Sequence, residues 1–272
     1  MLWSKAIGAG GAGGVVEGWN VSTAVFLQSF SVNAQETAPT GLFFKPDGTK
    51  MYVIGQNGDD VNEYNLSTAW NISTAVYAQS KGVASQELQP QGLFFKPDGT
   101  SMYIVGLQRD TVYRYTLDVP WDVSTAVFVQ SISVNAQETA PTGLFFKPDG
   151  TKMYVIGQTG DDVNEYNLST AWNISTAVYA QSKGVASEDT TPTGLFFKPD
   201  GLKMYVIGQT GDDVNEYNLS TAWNISTAVF VQSFSISSKE FDSSAVFFKP
   251  DGTKMYIVGP FSNSVHEYDL TA

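Results

Sequence analysis

The sequence predicts an all-β protein, a five-bladed β-propeller whose blades are four-stranded antiparallel sheets. Three observations carry the prediction. The stretch GLFFKPDGTKMYVIG at 41–55 returns from Gly92, Gly143, Gly194 and Ala245, each step being 51 residues. A fixed period of this size marks one supersecondary unit stacked on copies of itself. Each unit reads as four short apolar runs separated by turn residues, the grammar of a propeller blade. The last unit stops at EYDLTA, after its third run, and the missing fourth lies at the other end of the chain, at 19–30. A ring closed by its own first strand requires that offset, whereas an open solenoid does not.

The elements follow in order. Residues 1–18 stand outside the repeat and form an N-terminal arm, followed by the propeller at 19–272. Gly8 to Gly14 reads GAGGAGG, a composition suited to a flexible connector. Trp3 and Ile7 are the residues expected to anchor the arm, on the disc itself or on other chains of a larger assembly. Within the unit 41–91, GLFFK is the first strand, and Lys45-Pro46-Asp47-Gly48 is a hairpin turn in which Pro presets φ and Gly accepts φ > 0. MYVIG is apolar on both faces, as a central strand covered on both sides should be. QNGDD is a turn, VNEYNL a third strand, STAWN a polar turn and STAVYAQS a fourth strand. Trp19, Trp70, Trp121, Trp172 and Trp223 recur in every unit and are expected to pack between blades rather than to form a sugar platform. The Asn-Ile-Ser strings match glycosylation sequons but read more simply as turn caps.

Composition narrows the partners. The net charge is −12, from 27 acidic and 15 basic residues, so there is no basic footprint for nucleic acid or an anionic membrane. Cysteine is absent, which excludes disulfides and thiolate metal sites. No run is apolar enough for a Sec-type signal or a membrane span, so membrane insertion is not expected.

The wording FKPDGTKMYV resembles the repeat of the YVTN and lactonase-like propellers, over about 15 residues in each of the five units. The whole unit, with its W-[ND]-[VI]-S-T-A element, is also similar to propeller-repeat proteins of bacteriophage and environmental bacteria. Such a resemblance implies the fold; these families span enzymes, sensors and adhesins, so function does not transfer with it.

Differences between units point to a surface. Residues 31–85 and 133–187 are identical except for Asn57 against Thr159, the trace of a duplicated blade pair. Change concentrates in the loop between strands two and three and in the connector between blades, and the path of a blade sends both to one face. Binding residues favour loops on rigid scaffolds. The candidate ligand-binding residues are therefore Gln56, Asp59, Asp60, Arg109, Asp110, Gln158, Asp161, Asp162, Gln209, Asp212, Asp213, Phe261 and Asn263. The Asp pairs offer hard oxygen ligands, so calcium is a cofactor to test, but no D-x-D-x-D-G spacing is present. The sole histidine, His266, replaces an Asn or Tyr of the other units and is expected to be an exposed strand residue without a triad role. The inner-strand starts, Thr40, Gln91, Thr142, Thr193 and Ser244, carry no carboxylate for an axial metal.

From this follows the expectation of a non-enzymatic binding or assembly module at a virion or extracellular surface. It would dock by its arm and bind glycan through several near-equivalent loop sites, gaining avidity from multivalency. The alternatives are a purely structural assembly protein and a metal-dependent lactonase-like hydrolase.

Overall fold

The computed structural model describes residues 18–271, so Trp3 and Ile7 lie outside the described residues. Five separate four-stranded antiparallel sheets are present. Blade I consists of Pro39–Phe44, Lys50–Gly55, Asp60–Leu66 and Ala75–Gly82. Blade II consists of Pro90–Phe95, Ser101–Gly106, Thr111–Leu117 and Ala126–Ser133. Blade III runs through Pro141–Phe146, Lys152–Gly157, Asp162–Leu168 and Ala177–Gly184. Blade IV runs through Pro192–Phe197, Lys203–Gly208, Asp213–Leu219 and Ala228–Ser235. Blade V joins Ala245–Phe248, Lys254–Gly259 and Ser264–Asp269 to Val25–Ser31 from the start of the chain. That last pairing is antiparallel, from Val25 opposite Asp269 to Ser31 opposite Ser264, and it closes the ring.

The fourth strand of each blade begins later than the sequence suggests. In blade I, Ile72–Thr74 form one 3-10 turn, and Asn71 Oδ1 accepts the Ser73 N–H at 3.1 Å and the Ser73 hydroxyl at 2.8 Å. The Asn-Ile-Ser strings are caps, as expected.

The first strand of every blade lines the axis, where neighbouring backbones come close. An added Cβ on Gly41 would lie 2.6 Å from the Gln91 carbonyl oxygen, which is why glycine stands at this position in four of the five blades; blade V has Ala245 there. The second strands form the buried heart of each blade: Met51, Tyr52, Val53 and Ile54 have no exposed surface. Each central tyrosine donates to the backbone carbonyl of a tryptophan in the next blade. Tyr52 reaches Trp121 at 2.7 Å, Tyr103 reaches Trp172 at 2.8 Å and Tyr154 reaches Trp223 at 2.7 Å. Tyr205 to Trp19 at 2.6 Å and Tyr256 to Trp70 at 2.7 Å complete the circuit across the closure. The five tryptophans have φ between 64° and 74°, a left-handed conformation that is costly for a bulky residue. Packing between blades stabilises it: Trp70 stacks on Phe44 of its own blade and on Phe247 of the preceding one.

A polar clasp reinforces four of the five seams. At I–II, Lys50 pairs with the buried Glu63, whose Oε2 accepts from Gln79 at 3.1 Å and from the Val123 N–H at 3.1 Å. The pairs Lys152–Glu165, Lys203–Glu216 and Lys254–Glu267 repeat it. At II–III, Ser101 and Arg114 stand in these places. Arg114 Nη2 donates weakly to Ser101 Oγ at 3.3 Å, its Nε is buried without a partner among the described residues, and Trp172 is the one repeat tryptophan that is not fully buried.

Candidate functional site

The loop between strands two and three and the inter-blade connector emerge on one face, and the KPDG hairpins and Trp turns on the other. Gln56 N–H donates to the Ala38 carbonyl at 3.1 Å on the first face, and Trp70 N–H donates to the Gly48 carbonyl at 3.0 Å on the second. The loop face is therefore as expected.

What fixes its shape was missed in the sequence. Each connector buries one acid: Glu36, Glu87, Glu138, Asp189 and Glu240, all at most 1% exposed. Glu36 Oε1 accepts the Ala38 N–H at 2.7 Å and the Asn57 N–H at 3.2 Å, while Oε2 accepts the Gly58 N–H at 3.1 Å. A carboxylate surrounded by backbone donors staples the connector to the neighbouring loop. The signal available was an acid at the same register in every connector, however much its neighbours vary.

The structure separates the predicted residues into two groups. Gln56, Gln158 and Gln209 converge with Thr40, Gln91, Thr142, Thr193, Ser244 and Asp242 around an axial mouth with a cavity of about 270 Å³; Leu107 and Pro260 occupy the matching places in blades II and V. Thr40, Thr142 and Thr193 each donate to a carbonyl of the next blade, at 2.9, 3.0 and 2.8 Å. Gln91 stands in the equivalent place in blade II; it is 6% exposed and its Nε2 has no hydrogen-bond partner among the described residues. That is an unspent donor at the floor of the mouth.

The aspartates singled out in the sequence do not join this mouth. Asp59, Asp110, Asp161, Asp212 and Asn263 occupy left-handed turn positions with φ of 46° to 48°. Asn and Asp tolerate that conformation best after glycine. Asp60, Asp162 and Asp213 each accept from an Asn of the third strand at 2.6 Å. Burial and the neighbouring Glu36 and Glu87 push the Asp59 carboxyl above the usual aspartate value. Among the described residues, no group of three or more acidic or histidine side chains converges as a metal would require. Arg109 is exposed on its loop tip, away from the mouth-lining residues.

Phe261 gains a partner the sequence did not suggest. It packs against Phe241 of the preceding connector, and the two rings are 54% and 48% exposed. Asp242 and Pro260, their immediate neighbours, line the mouth, and the Gln209 amide donates to Asp242. An exposed aromatic pair thus adjoins, through Asp242, the Gln209 amide of blade IV.

His266 corrects the expectation of an exposed residue: it is only 3% exposed. Blades pack on both faces of the sheet, so a polar third-strand residue is covered too. Its Nδ1 faces Ser29 Oγ at 2.8 Å and its Nε2 faces Ser262 Oγ at 2.9 Å. Glu240 contacts Ser262 at 2.7 Å and lies 3.8 Å from His266 Nε2. Relative to Ser262 the acid thus lies on the same side of the ring, and relative to Ser29 it lies on the opposite side.

No protein-family model matches the chain, and no curated protein sequence matches it. Solved structures do. A putative 6-phosphogluconolactonase from Bacteroides uniformis is 15% identical with a TM-score of 0.52, over 84% of this chain and 65% of that one. One from Bacteroides fragilis is 13% identical with a TM-score of 0.50, over 84% and 65%. A Lactobacillus plantarum protein is 12% identical with a TM-score of 0.53, over 85% and 67%. This chain thus spans about two thirds of the length of those structures. The expectation that the chain is no enzyme is withdrawn on this finding, since two of these neighbours carry the name of a lactonase. At such identities the name stays with those proteins. The likeness establishes the β-propeller fold.

Proposed function

We propose that this propeller is a binding module for carbohydrate, with its site in the sector of the axial mouth formed by blades III, IV and V. The observation that carries the reading is the exposed Phe241–Phe261 pair beside Asp242, which shares the axial mouth with Gln158 and Gln209. A sugar ring presents an apolar C–H face and a rim of hydroxyls. Aromatic faces cover the first, and amides and a carboxylate hydrogen-bond the second. The unspent Gln91 donor adds a hydrogen-bonding group at the floor. A disc of this kind would act as a decoration or fibre element on a virion or cell surface, the setting to which the repeat's resemblance points.

The test is a glycan array probed with the full chain, in calcium and in EDTA. Binding should be confined to one sugar class, and Phe261→Ala or Gln209→Ala should weaken it about tenfold, the loss of one or two contacts worth about 1.4 kcal/mol together. Asp59→Asn should bind like the parent. A blank array at high protein density, or a Phe261→Ala variant with parental binding, overturns the reading.

A further inference from the structure

The rim of the disc carries a surface that the carbohydrate reading does not use. The fourth strand of every blade is the outer edge of its sheet, so one side of its backbone has no neighbouring strand. Among the described residues, the outward main-chain groups of 127–133 in blade II and 229–235 in blade IV make no hydrogen bond to another backbone segment. Their side chains are apolar and open to water: Val127, Phe128, Val129, Val229, Phe230 and Val231 are 39% to 67% exposed.

A long apolar edge is a template for another strand, and proteins ordinarily blunt it with charge, lysine above all. Three of the five outer strands follow that practice. Lys81 lies in the outer strand of blade I and Lys183 in that of blade III. In blade V the Lys239 ammonium stands 4.1 Å from the centre of the Phe26 ring. The outer strands of blades II and IV, AVFVQSIS and AVFVQSFS, contain no charge. All five outer strands carry a bulge, so the bulge does not set these two apart from blades I and III, but the residue on it does: Val129 and Val231, against Ala78 and Ala180.

The occupant that fits these edges is a second copy of this chain. The two unguarded strands differ only in Ile132 against Phe234, so each matches its own copy and the other in an antiparallel pair. Pairing a strand with its own copy has two-fold symmetry, the commonest in oligomers. Charge points the same way. Discs of net charge −12 repel one another, and the uncharged edges let two copies meet without setting like charges opposite. A basic partner would find no carboxylate on these strands.

We infer that discs join edge to edge through the outer strands of blades II and IV, main chain to main chain, with valine and phenylalanine side chains packing across each joint. Two open edges make each disc divalent, so copies grow into strings. One strand edge is far smaller than a standard interface of about 1,600 Å², so each joint is weak and growth depends on concentration. This goes beyond the carbohydrate reading and does not depend on it, because the joints lie on the rim and the mouth on the loop face.

Sedimentation velocity of the full chain, from micromolar to near-millimolar concentration, tests this. The average mass should climb past that of a dimer, and added salt should move the climb to lower concentration by screening the repulsion. Val129→Lys and Val231→Lys each guard one open edge and should halt growth at the dimer; together they should leave a monomer. Ala78→Lys, on an edge already guarded, should assemble like the parent. A parent that stays monomeric throughout, a double variant that still assembles, or an Ala78→Lys variant that dissociates would overturn the inference. So would assembly that salt weakens. A cooperative melt of each variant excludes misfolding, and glycan binding on the same preparations separates failure of this inference from failure of the carbohydrate reading.

Discussion

The II–III seam gives the chain an internal control for what its polar clasps contribute. Elsewhere a lysine that is 25–27% exposed pairs with a glutamate that is at most 2% exposed. Ser101→Lys with Arg114→Glu rebuilds that clasp. The new carboxylate would accept from the introduced ammonium, and Gln130, which now donates to Asn173 at 3.0 Å, would gain a second acceptor as Gln79 has in blade I. Hydrogen bonds to a charged group contribute about 1.5–3 kcal/mol each, and removing the unpartnered Arg114 Nε recovers about 1 kcal/mol more. Desolvating the new glutamate costs several kcal/mol, roughly offsetting one such bond. The net expectation is a gain of about 2 kcal/mol, or a melting temperature about 4–8 °C higher for a chain of this size. Each single variant should be less stable than the parent. Arg114→Glu leaves a buried carboxylate without its ammonium, and Ser101→Lys sets two cations side by side. A four-corner cycle by urea denaturation should therefore show a coupling of at least about 2 kcal/mol. A double variant no more stable than the parent, or a coupling below about 0.5 kcal/mol, would refute the claim that these clasps hold the seams.

Two further outcomes follow from the same geometry. At the hairpins, burial works against ionisation, but hydrogen bonds from Lys147 and Thr151 outweigh it and hold Asp149 at about 2; Asp47, Asp98, Asp200 and Asp251 are lowered in the same way. On the loop face, burial first and then neighbouring carboxylates raise Asp59, Asp212 and Asp242. Acids raised on folding take up protons earlier in the folded state, so stability rises on mild acidification. Acids lowered on folding stabilise only above the unfolded value of about 3.9, and that contribution is lost as pH falls toward about 2. Denaturation midpoints between pH 7.5 and 2.5 should peak near about pH 4–5 and then drop; a steady decline from neutral pH would contradict these assignments. Removing residues 1–31 should strip blade V of its outer strand, leave Ser264–Asp269 as an open edge and cause aggregation during light scattering on warming. A soluble truncation with a cooperative melt would disprove closure by the N-terminal strand.

The fold was legible because its signals are repeated and local. The period of 51, the KPDG turn and the cap Asn71 each have a mechanism readable in a few residues. The buried charges were not. Glu36 sits in a variable polar connector, where an acid ordinarily faces water, and only its backbone donors about twenty residues away explain its burial. Glu63 and His266 lie in VNEYNL-type strands whose alternation suggests one wet face, yet neighbouring blades cover both. Phe241 escaped notice because its pairing with Phe261 depends on how two loops of blade V fold over each other, a contact that no spacing encodes.

The distribution of differences also bears on valency. Three near-identical blades suggest several equivalent loop sites and hence avidity within one disc. The mouth is less symmetric than that. Gln56, Gln158 and Gln209 come from blades I, III and IV, while Leu107 and Pro260 interrupt the ring in blades II and V. Only blades III and IV set two such glutamines side by side, and only next to them does an aromatic pair rise, bound through Gln209 and Asp242. A ligand that needs both amides and an aromatic face therefore has one place to sit. The geometry favours one carbohydrate per disc, so any avidity must come from several discs held together rather than from five sites on one. Isothermal titration of the full chain with the sugar that the array selects should return a stoichiometry near one. A value near three or five would restore the equivalent-site reading and remove the blade V corner from the site.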